Sequence, residues 1–232
     1  MIPNRMTPEE FERRLRDRYT LLQQRHGLAI LATAYPAALR DIVDALDAFS
    51  LPRSEIDTGG GSKTEIAKRL DNFLVRRDWQ ELSVSVKNSI TLTTRRKKPK
   101  RLLEASDTHR DTLDFDVQTH YIDCYKSGVA LEVEWNNKNT FFARDLAAFR
   151  ALHDLSIISV GVLVTRGPDL QELLVSFGSA HRQKYGATTT HWAQLLGYID
   201  EGAAGACPLV LIGIQPGCYV DDRTGSGSDA RE

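Results

Sequence analysis

At 232 residues and 26.0 kDa the chain has the length of one domain of ordinary size. Its 41% apolar and 26% charged residues fit a globular protein, and no apolar run reaches the roughly 18–20 residues that span a bilayer. The formal net charge of −1 gives no global pull toward nucleic acid, so any such affinity must be local. The three cysteines are odd in number and lack paired metal spacing. They argue against a disulfide scaffold or zinc site and for a reduced, cytoplasmic setting, which the lack of an apolar signal core at the N-terminus supports.

Thr7-Pro8-Glu9-Glu10 is a helix start, with a capping Thr, Pro in the first turn and Glu three places after the cap. Phe11, Leu15, Tyr19 and Leu22 continue at helical spacing, which predicts a helix ending near Gly27. A second helix is predicted from Ala37 to Phe49 on the stripe Leu39, Ile42, Val43, Leu46 and Phe49. Both stripes read as core or dimer surface. The segment Asp57 to Thr64 invites a phosphate-loop reading but has Ser62 and Asp57 where that pattern needs Gly. It reads better as a loop entering a helix, with Ser62 and Glu65 as a capping box and Ile66, Leu70, Phe73 and Leu74 buried.

Leu82 to Thr94 alternates as a strand. Next comes Arg95-Arg96-Lys97-Lys98-Pro99-Lys100-Arg101, six cations in seven residues. It reads as an exposed phosphate-binding arm, with solvated surface or a targeting signal as the plainer alternatives. Leu113 to Val117 alternates again, placing Asp114 and Asp116 on one face.

The stretch from His120 to Arg166 carries the chemistry. Within VALEVEW, strand alternation puts Leu131, Val133 and Trp135 on one side and Ala130, Glu132 and Glu134 on the other. Two residues along a strand advance roughly 6.5–7 Å, so the two carboxylates stand side by side. They repel, and removal from water adds to the cost; a divalent cation relieves both. Lys126-Ser127-Gly128 reads as a hairpin turn that could fold Asp123 back beside Glu132. The pattern Asp-x8-Glu-x-Glu then offers two hard oxygen ligands for Mg²⁺ and a third carboxylate to take a proton from water. The alternative is an edge strand with a solvated acidic face, partly neutralised by Lys126 and Lys138. A glycosidase reading of the paired Glu finds no grouped aromatics to stack a sugar.

Asn136-Asn137-Lys138-Asn139 forms a polar turn before a helix from about Phe142 to Leu155, with Leu146, Phe149 and Leu152 inward and Arg144, Asp145 and Arg150 more exposed. Ile157 to Thr165 is apolar almost throughout, as a central strand covered on both faces would be. Strand, helix and strand make a crossover unit, which predicts an α/β fold with a mixed central sheet flanked by helices. A short helix follows Gly167-Pro168-Asp169 through Leu174, and the loop Lys184 to Thr190 enters a helix at His191 to Ile199 with Thr189 or Thr190 as cap. Pro208 to Ile214 is a last strand, and Asp221 to Glu232 reads as a disordered tail after a single domain over 1–220, helical to 80 and α/β from 81.

The run D-x8-E-V-E-W-N-N-K, then F-x-R-D-L-x-x-F-R and ISVGVLVTR, together with GGGSKTEIAKRL, YGATTTHWAQL and CPLVLIGI, resembles the BglII/BstYI-like type II restriction endonucleases of the wider PD-(D/E)xK nuclease superfamily. The likeness covers about residues 55–215 in pieces. It implies a restriction-endonuclease-like core and a Mg²⁺-dependent cut of double-stranded DNA at a short palindromic site, with Mn²⁺ able to substitute. It also implies a homodimer and, in a prokaryotic host, a partner DNA methyltransferase. Asp123 and Glu132 match the metal-binding acids, helped by the Val133 carbonyl, and Glu134 stands where the superfamily usually has Lys. The matching segments make Lys63, Asn136, Asn137, Lys138, Tyr185, Thr188 and His191 candidate DNA contacts, with Lys68 a further backbone contact, and the basic run adds Arg95, Arg96, Lys97 and Lys98 on its charge. The alternative is a DNA-binding or regulatory protein on the same fold that does not cleave.

Overall fold

The structure, a computed structural model, describes residues 6–58, 65–95 and 108–225. Thr7 caps helix α1 (Pro8–Leu15), its hydroxyl accepting from the Glu10 amide at 3.2 Å. The helix does not run on to Gly27. The chain turns at Leu15, where the Arg18 amide donates to the Leu15 carbonyl, and enters strand β1 (Tyr19–Gln24). Tyr19 kept its place in the apolar pattern because a buried residue at that spacing suits a strand as well. Its ring is buried and its hydroxyl donates to the Leu46 carbonyl at 2.7 Å. Helices α2 (Gly27–Ala34) and α3 (Pro36–Ala48) follow; α2 has little polar contrast around it and escaped the periodicity reading. The Arg18 guanidinium caps the end of α3, donating to the carbonyls of Leu46, Asp47 and Phe49.

Then come β2 (Leu51–Pro52), α4 (Arg53–Asp57) and α5 (Glu65–Val75), the last burying Ile66, Leu70 and Leu74 as expected while Phe73 is only partly buried. Strands β3 (Gln80–Arg95) and β4 (Thr108–Lys126) are followed by β5 (Val129–Glu134), helix α6 (Thr140–Asp154) and strand β6 (Val160–Arg166). Helices α7 (Pro168–Ser176), α8 (Ser179–Lys184) and α9 (Trp192–Asp200) lead to β7 (Leu209–Ile214) and β8 (Tyr219–Val220). The main sheet has the order β1-β7-β6-β5-β4-β3. The β5–β6 and β6–β7 pairs are parallel, whereas β1–β7 and β4–β5 are antiparallel, so the sheet is mixed. Every residue of β5, β6 and β7 is buried, because the crossover through α6 covers one face while α2, α5 and their neighbours cover the other.

The chain falls into two compact units, residues 83–121 forming one and the rest the other. The smaller unit holds most of β3 and β4, with the Thr91 and Thr112 hydroxyls 3.4 Å apart and Ile90, Leu92 and Leu113 exposed. Residues 221–225 of the expected tail are described, and 226–232 lie outside the described residues. β8 pairs with β2, and the Ser54 amide donates to the Asp222 carboxylate at 3.0 Å, tying residues 219–222 to α4. Among the described residues no helix is long and apolar enough to cross a membrane.

Gly161 of β6 fixes how close α6 lies to the sheet, since a Cβ there would stand 2.4 Å from the Phe149 ring. Phe149 is fully buried and cannot swing clear. Gly161→Ala should therefore cost about 1–3 kcal/mol, read as a lower denaturant midpoint at unchanged slope.

Candidate active site

The hairpin between β4 and β5 forms as its residues demand. Lys126 pairs with Val129 in register, and the two turn residues between them, Ser127 (φ 50°) and Gly128 (φ 95°), take the left-handed backbone of a two-residue turn. The register Cys124↔Leu131 carries Asp123 opposite Glu132, and the Asp123 amide donates to Glu132 Oε1 at 3.1 Å. The two halves of the predicted acid pattern thus meet. Alternation holds too: Leu131 and Val133 join the main apolar cluster, and Glu132 and Glu134 turn to the face that α6 covers.

Both glutamates are only 3% exposed, on an interior strand, which removes the solvated-edge alternative. Neither expected lysine neutralises them. Lys126 Nζ turns to Asp41, at 2.8 Å, and to the Arg77 carbonyl, while Lys138 is exposed. The neighbours are instead two residues of α6. Asp145 is 2% exposed, contrary to the expectation that it faced solvent, because it lies on the same helix stripe as Phe142, Leu146, Phe149 and Leu152. A carboxylate in that stripe was the visible signal. Arg144 bridges Asp145 Oδ1, at 2.8 Å, and Glu134 Oε1, at 3.5 Å. Asn137 Nδ2 donates to Glu134 Oε2 at 2.7 Å.

The electrostatics follow from burial. The Glu132 carboxyl is pushed well above its ordinary range by desolvation and by the like charges of Asp145, Asp123 and Glu134, with the Asp123 amide pulling the other way. Glu134 is raised to about 8, by burial first and then by Asp145, against the pull of Asn137 and Arg144. Asp145 is raised by burial and held back by Arg144.

Among the described residues, no three His, Cys, Asp or Glu side chains are set together as a metal-holding group. Both Glu134 oxygens, one of Glu132 and one of Asp145 are met by protein donors. The donor chemistry nevertheless fits a hard divalent cation, being carboxylate oxygen throughout, and buried Asp145 Oδ2 has no hydrogen-bond partner among the described residues.

The polar turn after β5 and the loop before α9, read separately in the sequence, are one assembly. Lys138 bridges Thr189, the Asn139 amide donates to the Thr188 carbonyl at 2.9 Å, and the Asn137 amide donates to Thr190 Oγ1 at 3.1 Å. Beneath them Arg166 is fully buried and donates to the Thr190 carbonyl, Thr189 Oγ1 and Gln171 Oε1. Nothing in the sequence marked Arg166 as this anchor. Of the loop candidates Lys138 and Thr188 are exposed, and Asn136 and Asn137 are half-buried. Tyr185 does not present itself to a ligand: it is 1% exposed, its ring meets Trp135 edge-on, and its hydroxyl donates to the Ile56 carbonyl. His191 is buried, with Nε2 lacking a hydrogen-bond partner among the described residues and its pKa lowered by burial and by Arg166. Lys63, Arg96, Lys97 and Lys98, and the side chain of Arg95, lie outside the described residues. Lys68 is exposed and pairs with Glu65 at 2.8 Å. Asp114 is exposed, and the Asp116 side chain is outside the described set.

The family described as restriction endonuclease BglII/BglIII matches residues 19–214, a span holding every element from β1 to β7. A comparison with curated proteins found no match.

A folded-state pKa raised from 4.5 to about 8 means that Glu134 contributes stability fully below about pH 4.5 and loses it as pH rises through 8. Without divalent cations the melting temperature should therefore fall between pH 5 and pH 8. Glu134→Gln should flatten that fall and raise the melting temperature at pH 8, which calorimetry across the range will show.

Proposed function

Because this chain belongs to the BglII/BglIII restriction endonuclease family, whose members are nucleases acting on DNA, we propose a specific activity for it. It is a Mg²⁺-dependent type II restriction endonuclease that hydrolyses phosphodiester bonds of double-stranded DNA at a short palindromic site, and Mn²⁺ substitutes. The observation that supports this most is the burial of Glu132 and Glu134 side by side on an interior strand, with Asp123 opposite. Asp123 and Glu132, with the Val133 carbonyl, are the groups that would hold the cation. When bound, a divalent cation lowers the pKa of a water molecule and offsets charge gathering on the phosphate.

The protein's own groups do the rest. Glu134 orients the attacking water and accepts its proton, and a carboxyl whose pKa lies near neutrality suits that transfer. Asn137 fixes the Glu134 carboxylate through Oε2, and Thr165 Oγ1 donates to the Glu134 backbone carbonyl at 2.7 Å, holding the strand end still. One such site cuts one strand. A palindrome has two equivalent bonds, which a two-fold homodimer matches, and in a host the activity requires a methyltransferase that protects the same sequence. Lys138 and Thr188, exposed on the paired turn and loop, are the described candidates for DNA contact, with the basic run from Arg95 supplying phosphate affinity.

The commitment of the Glu134 oxygens to protein donors favours one second reading, a DNA-binding protein of the same fold that does not cleave. Plasmid digestion with Mg²⁺ or Mn²⁺, and with chelator, separates the two. Glu132→Ala should abolish cutting, a loss of at least about 10³-fold, while retaining DNA binding in a gel-shift assay. Unchanged cutting by that variant would remove Glu132 from the site.

A further inference from the structure

Arg144 is unusual in being exposed and yet held. Its side chain is 60% accessible, but Nε donates to Asp145 Oδ1 at 2.8 Å, Nη2 lies 2.8 Å from the same oxygen, and the guanidinium carbon stands 4.4 Å from the centre of the Phe141 ring. An exposed arginine normally gives up rotamer freedom when a ligand fixes it. Here the protein has fixed it beforehand, using a carboxylate that is 2% exposed and is itself costly to bury. Among the described residues no donor meets Asp145 Oδ2. Among the described residues, Arg144 is also the one cation that forms an ion pair with Glu132, Glu134 or Asp145.

Resting on the nuclease reading, we infer that Arg144 is a catalytic residue that contacts the scissile phosphate, and that Asp145 is the positioning residue that aims it. In the cut, the oxygen of water bonds to phosphorus and one phosphorus–oxygen ester bond breaks. The water proton goes to Glu134, and the leaving oxygen is protonated from solvent. The phosphate gains negative charge in the transition state, amid four carboxylates that oppose it, Asp123, Glu132, Glu134 and Asp145. A preset guanidinium beside Glu134 opposes that repulsion without reorganising.

The test uses the full chain and a duplex carrying the cleavage site mapped with wild-type enzyme. Single-turnover cutting should fall about 10²–10³-fold in Arg144→Gln, less in Arg144→Lys, and by an intermediate amount in Asp145→Asn. Arg150→Gln, on the same helix and paired only loosely with Asp154 at 4.0 Å, should cut as wild type does. A second readout needs no catalysis: binding measured in chelator to the natural duplex and to one with an uncharged methylphosphonate at the scissile position. Arg144→Gln should weaken binding to the natural duplex about tenfold and leave binding to the methylphosphonate duplex equal to that of wild type. Near wild-type cutting by Arg144→Gln would overturn the inference while leaving the nuclease reading intact. So would a binding loss that persists on the methylphosphonate duplex, or a relaxed choice of sequence, which marks a base contact. Wild-type protein that cuts no DNA with either metal would overturn both.

Discussion

Two carboxylates two residues apart on an interior strand are the constraint around which this molecule is built. Left ionised and unpaired at that depth, Glu132 and Glu134 would repel each other and lose hydration together. The fold answers with an amide from Asp123, an amide side chain from Asn137 and a guanidinium from Arg144, each at a separate oxygen. None of these is a full neutralising partner, so the glutamates keep raised pKa values. Carboxyls held this way gain from an arriving positive charge, the property on which the proposed chemistry rests.

The supporting architecture serves the same end. α6 packs against β6 at a glycine, and that closeness brings Arg144 and Asp145 over the strand that carries the acids. On the far side of the turn, Arg166 offers its donors to backbone and hydroxyl oxygens of the 189–190 segment, with no acid partner among the described residues. A buried guanidinium satisfied only by neutral oxygens is a firm geometric anchor, since moving the loop would strand its charge. The exposed residues Lys138 and Thr188 are therefore presented from a braced surface, not from a wandering loop.

Much of this was legible in the residues because the strongest signals were local. Strand alternation alone assigned Glu132 and Glu134 to one face, the Ser-Gly turn set the hairpin, and the apolar run after α6 marked the central parallel strand. The failures came where one pattern admits two structures. Tyr19 and Leu22 extend a helical stripe on paper but sit on an edge strand, because spacing cannot say where a chain turns. Tyr185 looked available in a polar loop, and its burial follows from Trp135 and Ile56, which are distant in sequence. Asp145 was the avoidable miss, since a charge placed among Phe142, Leu146 and Phe149 should itself have raised the question of what it does there.

The charge of the chain as a whole then makes sense as two opposed demands met in different places. Capturing DNA calls for cations, which the sequence concentrates in the run from Arg95 to Arg101 while the total stays at −1. Cutting it calls for carboxylates, which would repel the backbone if displayed on the surface. Burying Glu132, Glu134 and Asp145 keeps their charge off the surface, and the more exposed Arg144 beside them presents the opposite sign. An acidic site can in this way sit within a DNA-directed protein without cancelling the attraction that brings the substrate to it.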